Sequence, residues 1–418
     1  MVRAIDALDV YLGLSLLRFS AAGAQAVLQT IITATLSFIV FTFGSILVAI
    51  QVASGQMTPR IIATTLLRDD VVKYTVGLFI FTLLFATSVL NKTGTTVHQL
   101  VVFVAAALGL GCFAAFLYLI DYASRLLRPI SILGFVGNEG LAVIDSMYPE
   151  PTRGFDLYGG HEHKSGPPAR VITHEGTSGI VLAVKVEVLV TEAAGAAGII
   201  EFVPQVGDFV SVDEPLFNLY GGAATVDDQV LRAAVVLGAE RTMEQDPTFA
   251  FRIVVDIALK ALSPAINDPT TAVLAIDQLH RLLRKVGTRH LRTDEILDGA
   301  DRLRAILRTP NWEDFVNLSF NEIRACGSNN MQVVRRLRAM IENLIQTLPS
   351  HRHAALRQEL NILDREIERQ FRYPEDVALA RVADSQGLGG HSIRAGTSDE
   401  ALSLKDGQPE SRVSSIGR

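Results

Sequence analysis

The stretch TIITATLSFIVFTFGSILVAIQ, residues 30–51, decides the fold. It lies in a run without charged side chains from 19 to 59, and two more such runs follow, 74–91 and 93–120. A helix crossing about 30 Å of hydrocarbon needs roughly 20 apolar residues. Three runs of that kind in succession argue against buried helices of a water-soluble domain. They predict a membrane domain over 27–128, with spans at 27–52, 74–90 and 100–120, after an N-terminal segment, 1–26. None has the short apolar core and small-residue cleavage site of a signal peptide.

Beyond Asp121 charges recur every few residues, and the net charge of −6 belongs mostly to this part. Such a balance argues against a general nucleic-acid binder. Two cysteines, Cys112 in an apolar run and Cys326 far from it, imply no disulfide framework. Arg60, Arg68 and Lys73 separate the first two spans, and Arg125 and Arg128 follow the third, whereas the intervening loop offers only Lys92. Positive residues stay inside, so the C-terminal part is expected in the cytoplasm. Arg3 and Arg18, which then fall outside, oppose that bias.

In the first span Thr30, Thr33, Ser37, Gly44 and Gln51 fall near one helical face, interrupted by Phe41 and Val48. The stripe reads either as the lining of a water-filled path or as small and hydroxyl residues packing helices together. Ala107, Gly111 and Ala115 in the third span read as packing. With no central Asp, Glu, Lys or Arg, the spans carry no residue for a proton relay or voltage sensor.

Residues 129–168 are expected to be a linker, since 149–168, PEPTRGFDLYGGHEHKSGPP, lacks apolar periodicity. Its His161 and His163 have no nearby cysteine and no metal is expected there. Residues 169–222 read as a β-rich module with turns at Gly176 and Gly179 and valine runs between Val181 and Val190. The pattern fits a small barrel or sandwich shaped like a biotinyl or lipoyl carrier. Lys185 lies inside a valine run rather than at a hairpin tip, so no covalent cofactor is expected.

Residues 223–383 read as a helical domain. Asp246 caps a helix opened by Pro247 and ended at Ser263-Pro264; Asn267 or Asp268 caps the next, opened by Pro269 and ended by Gly287. Arg252, Asp256 and Lys260, then Asp277, Arg281 and Lys285, are spaced for charge ladders along each helix. DRLRAILR, 301–308, alternates like a strand, and further helices begin near Asn311, Ser328 and Ser350. The tail, 384–418, reads as disordered. The fold class expected is therefore a multi-domain membrane protein: an α-helical bundle in lipid and a soluble α+β part.

Four stretches carry a resemblance: ILVAIQVASGQMTPR (46–60), LLRDD (66–70), VGDFVSVDEPL (206–216) and LGAERTMEQDPTFAFRIVVDIALKALSPAINDPTTA (237–272). With these the chain resembles DUF2254, a domain-of-unknown-function family of bacterial integral membrane proteins, over about residues 20–380. The resemblance implies an inner-membrane protein with a cytoplasmic C-terminal part and brings no established activity. Members begin with a further hydrophobic helix, where this chain has YLGLSLLRFSAAG (11–23).

No nucleophile and base at a recurring spacing, Walker motif, zinc-ligand cluster or nucleophile elbow is present in the sequence, so neither an enzyme nor a cofactor is expected. The Asp-Pro corners read as structural joints or, because helix starts attract anions, as a ligand pocket with Arg252, Asp256 and Arg281. Three spans are too few for most pores in one chain. The function expected is a homo-oligomeric, channel-like or transport-regulating membrane protein with a cytoplasmic sensor. The alternative is a membrane-anchored scaffold. Partners would be lipid, further copies, and a cytoplasmic protein or small ion.

Overall fold

The computed structural model describes residues 19–56, 70–93, 97–126, 128–152, 166–291 and 294–389. His161 and His163 lie outside them. Three long helices come first: α1 (Ala21–Gln56), α2 (Asp70–Lys92) and α3 (Gln99–Leu126). Each extends past the expected span by several residues at one end or both. No proline interrupts them, and in hydrocarbon only a structure that bonds its own backbone is stable.

They pack through Leu28 and Ile31 of α1, Ala86 and Val89 of α2, and Val102 and Ala105 of α3. Phe38 stacks on Phe116 at 4.6 Å and meets Phe79 at 5.8 Å. Gly109 lets α1 approach, since a Cβ there would lie 2.9 Å from Ile31 Cγ1. The packing face of α3 is therefore not the expected one. Ala107 and Gly111 are exposed, while Ala105 and Cys112 are buried. Cys112 Sγ lies 3.2 Å from the buried Thr82 Oγ1. Phe41, Leu47, Leu84 and Leu110 point outward, as lipid-facing side chains do.

A fourth apolar helix, α4 (Pro129–Met147), replaces the first half of the expected linker. It too is long and apolar enough to cross a membrane. Its buried face, with Leu133, Val136 and Ile144, nevertheless joins the core of the soluble helices. Asn138 and Asp145 on it bond Arg281, Lys285 and Arg289. The linker expectation rested on residues 149–168 and does not hold for 129–147, whose Gly137 and Gly140 are instead where other helices come closest.

The β part comprises β1 (Arg170–Thr173), β2 (Gly179–Val184), α5 (Val186–Gly195), β3 (Gly198–Phe202), β4 (Phe209–Val210), β5 (Pro215–Gly221), α6 (Asp228–Ala233) and β6 (Val235–Gly238). Two later strands, β7 (Glu295–Leu297) and β8 (Leu303–Leu307), complete it. The sheets run β1-β5-β3-β8-β7 and β4-β2-β6 around one core that includes Val181, Leu189, Ile200 and Phe217.

Two expectations are corrected here. Val186, Val188 and Val190 lie in a helix, not a strand: burial of Leu189 and Ala193, four apart, overrides β-propensity. The β part also does not end at 222. β3 pairs with β8 in parallel, and a parallel pair needs a long crossover, here the helices between them.

Besides α6, those helices are α7 (Pro247–Ala261) and α8 (Pro269–Gly287), followed after β8 by α9 (Trp312–Gly327), α10 (Met331–Thr347), α11 (His353–Gln370) and α12 (Pro374–Ala380). Asn311 caps α9 with a reciprocal capping box. The two charge ladders resolve differently. Arg252 does hold Asp256, and also Glu322 of α9. Asp277 instead pairs with Arg336 of α10 at 2.6 Å, and Lys285 with Asp145 of α4 at 2.8 Å, because neighbouring helices offer closer partners than the next turn.

The tail expectation is corrected at its start. Asp384 is buried and accepts bonds from the N–H groups of Gln386, Gly387 and Gly389. Arg335 donates to the carbonyls of Val382 and Gly389, and Gln332 to that of Gly387. A polar, glycine-rich segment is thus held by hydrogen bonds rather than apolar burial, which composition does not register.

Between α8 and α10, His280 Nε2 lies 2.9 Å from Asn343 Oδ1, and burial lowers the histidine's pKa against the smaller opposing effect of that bond. The unfolded chain takes up this proton near pH 6.5 while the folded chain resists it. The stabilisation is complete above that pH and lost as pH falls below it. We expect the thermal midpoint in detergent to fall between about pH 7 and pH 5, and His280→Gln to flatten that part of the curve. An unchanged slope in the variant assigns the acid sensitivity elsewhere.

Candidate functional site

The hydroxyl stripe of α1 and the two Asp-Pro-Thr corners are the places where sequence and structure meet. On α1 the bundle core uses Leu28, Thr35 and Thr42, at intervals of seven. Thr30, Ser37 and Gly44 follow each of these by two residues, a rotation of about 200° on a helix. Thr30, Thr33, Ser37, Gly44 and Gln51 are accordingly all exposed, although Thr30 also lines a cleft shared with Gly109 and Phe113 of α3. Nothing comes within 4 Å of a Cβ built on Gly44. Thr30 Oγ1 donates to Ala26 O and Ser37 Oγ to Thr33 O, both at 2.8 Å. Such back-bonds make an outward hydroxyl tolerable in hydrocarbon while leaving its oxygen able to accept. Among the described residues, then, Thr33, Ser37, Gly44 and Gln51 are not part of the buried bundle core. The inward hydroxyls are others, Thr35, Thr42, Thr75 and Thr82.

The corners are chemically alike. Asp246 accepts from Phe249 N at 3.1 Å and Asp268 from Thr271 N at 3.1 Å, each capping a helix opened by proline. Thr248 and Thr271 each donate a hydroxyl to the same carboxylate. Their surroundings differ. Asp246 is buried and held by Arg241, whose guanidinium lies 5.5 Å from the Phe249 ring centre. Half-buried Ser263 and Asp268 bound a tight turn in which Pro264 and Asn267 are exposed and Asn267 takes a left-handed φ of 47°.

The two corners sit at opposite ends of α7, about 22 Å apart for its 15 residues. They do not form one pocket. Arg252 and Asp256 face α9, and Arg281 bonds Gln278 and Asn138, so the expected constellation of charges is not assembled either.

A feature the sequence did not announce is a cleft of about 450 Å³ between the β part and the helices, lined by Lys185, Glu187, Phe202, Glu244, Gln245 and Arg308. Gln245 Oε1 accepts from Val184 N at 3.1 Å across it. Its walls mix both signs of charge, which favours neither an anion nor a cation. Among the described residues no group of three His, Cys, Asp or Glu is placed to hold a metal ion.

A family model described as "Predicted membrane protein (DUF2254)" matches residues 2–343. The chain belongs to this family. Its α1–α3 bundle is therefore a membrane domain in contact with lipid. Uncharacterised proteins of Mycobacterium bovis and of Mycobacterium tuberculosis (strains CDC 1551 and H37Rv) are each 26% identical over 370 residues, covering 85% of this chain and 70% of the relative. No solved structure matches the chain significantly.

Proposed function

We propose that the protein assembles as a homo-oligomer in the bacterial inner membrane, with the α1 stripes of several copies facing a solvated central path. The soluble part then lies in the cytoplasm and acts as its sensor or gate. The observation that carries this reading is the exposure of Thr33, Ser37, Gly44 and Gln51 outside the bundle core, with Thr30 at its edge. Lipid gains nothing from a face of hydroxyls and an exposed amide, whereas neighbouring copies and water do. The proposal includes no enzymatic step, cofactor or metal.

Purified protein in sealed liposomes should pass small ions, and the Thr33→Leu/Ser37→Leu double variant, at two exposed positions whose side-chain hydrogen bond is the back-bond of Ser37 to Thr33 O, should reduce that flux at unchanged expression. A tight, flux-free wild type under varied pH, tension and voltage, or an unaffected double variant, counts against the reading.

The second reading, a membrane-anchored scaffold, is favoured by exposed Phe209 and Val236 on the two edge strands of the β4-β2-β6 sheet, since unpaired edges invite strand addition. It requires a protein partner whose binding Phe209→Asp removes.

A further inference from the structure

α3 and α4 are joined tightly: Arg128 N donates to Arg125 O at 3.2 Å and Ser131 Oγ to the same carbonyl at 2.9 Å. The start of α4 therefore lies where α3 leaves the bilayer. Gly140 of α4 sits where a Cβ would lie 2.8 Å from Ala250 Cβ of α7 and 2.9 Å from Leu282 Cδ2 of α8. From that crossing, Pro129 lies eleven residues back along α4, and Ala261 eleven residues forward along α7. α4 runs alongside α8 in the same direction, with Gly137 next to Gln278, Asn138 bonded to Arg281 and Asp145 to Lys285 and Arg289, so the start of α4 lies at the same end as the start of α8 and the end of α7. The turn 263–268, which joins α7 to α8, is therefore at the end where α3 passes into α4.

Its chemistry suits a lipid boundary. Pro264, Ala265 and Ile266 are exposed, and Ile266 is 37% accessible. Ile130, 56% accessible, and Leu388, 77% accessible beside the start of α8, add apolar surface at the same end. Backbone that enters an apolar phase must bond internally. The N–H of Ser263 donates to Lys260 O, those of Ile266 and Asn267 to Ser263 O, and that of Asp268 to Ala261 O. The Asp268 carboxylate is occupied by Thr271. Arg128 at the start of α4 and Lys260, one turn before the corner, add cations to the same end, the charge that lipid phosphates attract.

We propose that residues 263–268, with Ile130 and Leu388, form a foot that sinks into the headgroup boundary of the leaflet at which α3 ends. Continuity with the membrane bundle through α4 identifies lipid as the occupant. The inference is independent of the channel reading and requires only that α1–α3 span the bilayer. The foot fixes the height of α7 and α8 against the membrane, so a change in lipid packing is felt directly at the Asp268 cap.

The test places a nitrobenzoxadiazole label at Ile266→Cys in a Cys326→Ser background, Cys112 being buried. Tyr74→Cys at the lipid-facing start of α2 and Thr347→Cys at the far end of α10 are the references. Full-length protein is reconstituted in phosphatidylethanolamine–phosphatidylglycerol nanodiscs containing lipid spin-labelled near the headgroup. The label at 266 should emit to the blue of that at 347 and lose intensity to spin-labelled lipid as fully as that at 74. Emission equal to that at 347, or a blue shift without quenching by the lipid, as contact with another protein surface gives, overturns the proposal.

Discussion

Asp246→Ala should destabilise the soluble part by about 3 kcal/mol, and Asp268→Ala by about 1 kcal/mol, although both occur in the same Asp-Pro-Thr sequence. Loss of the cap is common to the two. At Asp246 the buried carboxylate also holds Arg241, whose side chain passes over Gly207 in the turn between β3 and β4. That glycine has a φ of 95°, and a Cβ there would lie 2.4 Å from Arg241 Nη2. The pair thus clamps the β part onto the start of α7. Removing the acid leaves a half-buried guanidinium without its counter-charge as well as an uncapped helix. Chemical denaturation of full-length protein in detergent, followed by tryptophan emission from Trp312, measures both variants. Equal losses would mean that the clamp contributes nothing and that capping is the whole effect.

Gly140→Val should cost about 3 kcal/mol, the upper part of what overpacking a core brings. Its Cβ would fall 2.8 Å from Ala250 Cβ, on a helix buried on nearly every side, and 2.9 Å from Leu282 Cδ2. Ala250 cannot turn away, so α4 must shift. As α4 continues directly from the membrane domain, the shift would also loosen the soluble helices from the bilayer. The expected readout is a lower thermal midpoint together with easier proteolysis near the start of α4. Gly134→Val one turn and a half earlier, where nothing lies within 4 Å of a built Cβ, should leave both unchanged, which separates the close contact from a general effect of helical glycine replacement. A Gly140→Val protein as stable as the parent would remove α4 from the role of rigid connector.

Much of this was legible because local chemistry sufficed. A charge-free run has only lipid or a large core to hide in, and three in succession settle for lipid. An aspartate before a proline caps a helix whatever surrounds it, so both corners could be read from a few residues. What composition misread was held by partners distant in the chain. The Gly/Pro-rich residues from 149 onward make 129–147 look like part of a linker, whereas Ala250 and Gln278 lie against its Gly140 and Gly137. The valines after Lys185 look like a strand until Leu189 and Ala193 are buried. Residues 384–389 look disordered until Arg335 and Gln332, some fifty positions away, donate to their carbonyls.

The sequence by itself determined the division into lipid and water, the helix starts at Pro247 and Pro269, and the family, because each follows from neighbours in the chain or from a run of like residues. Tertiary structure alone decided that the α1 stripe lies outside the bundle core, that the two corners lie at opposite ends of α7, and that β3 pairs with β8. Those facts depend on which face of one element meets another, and a helix carries no local mark of which side its neighbours will take.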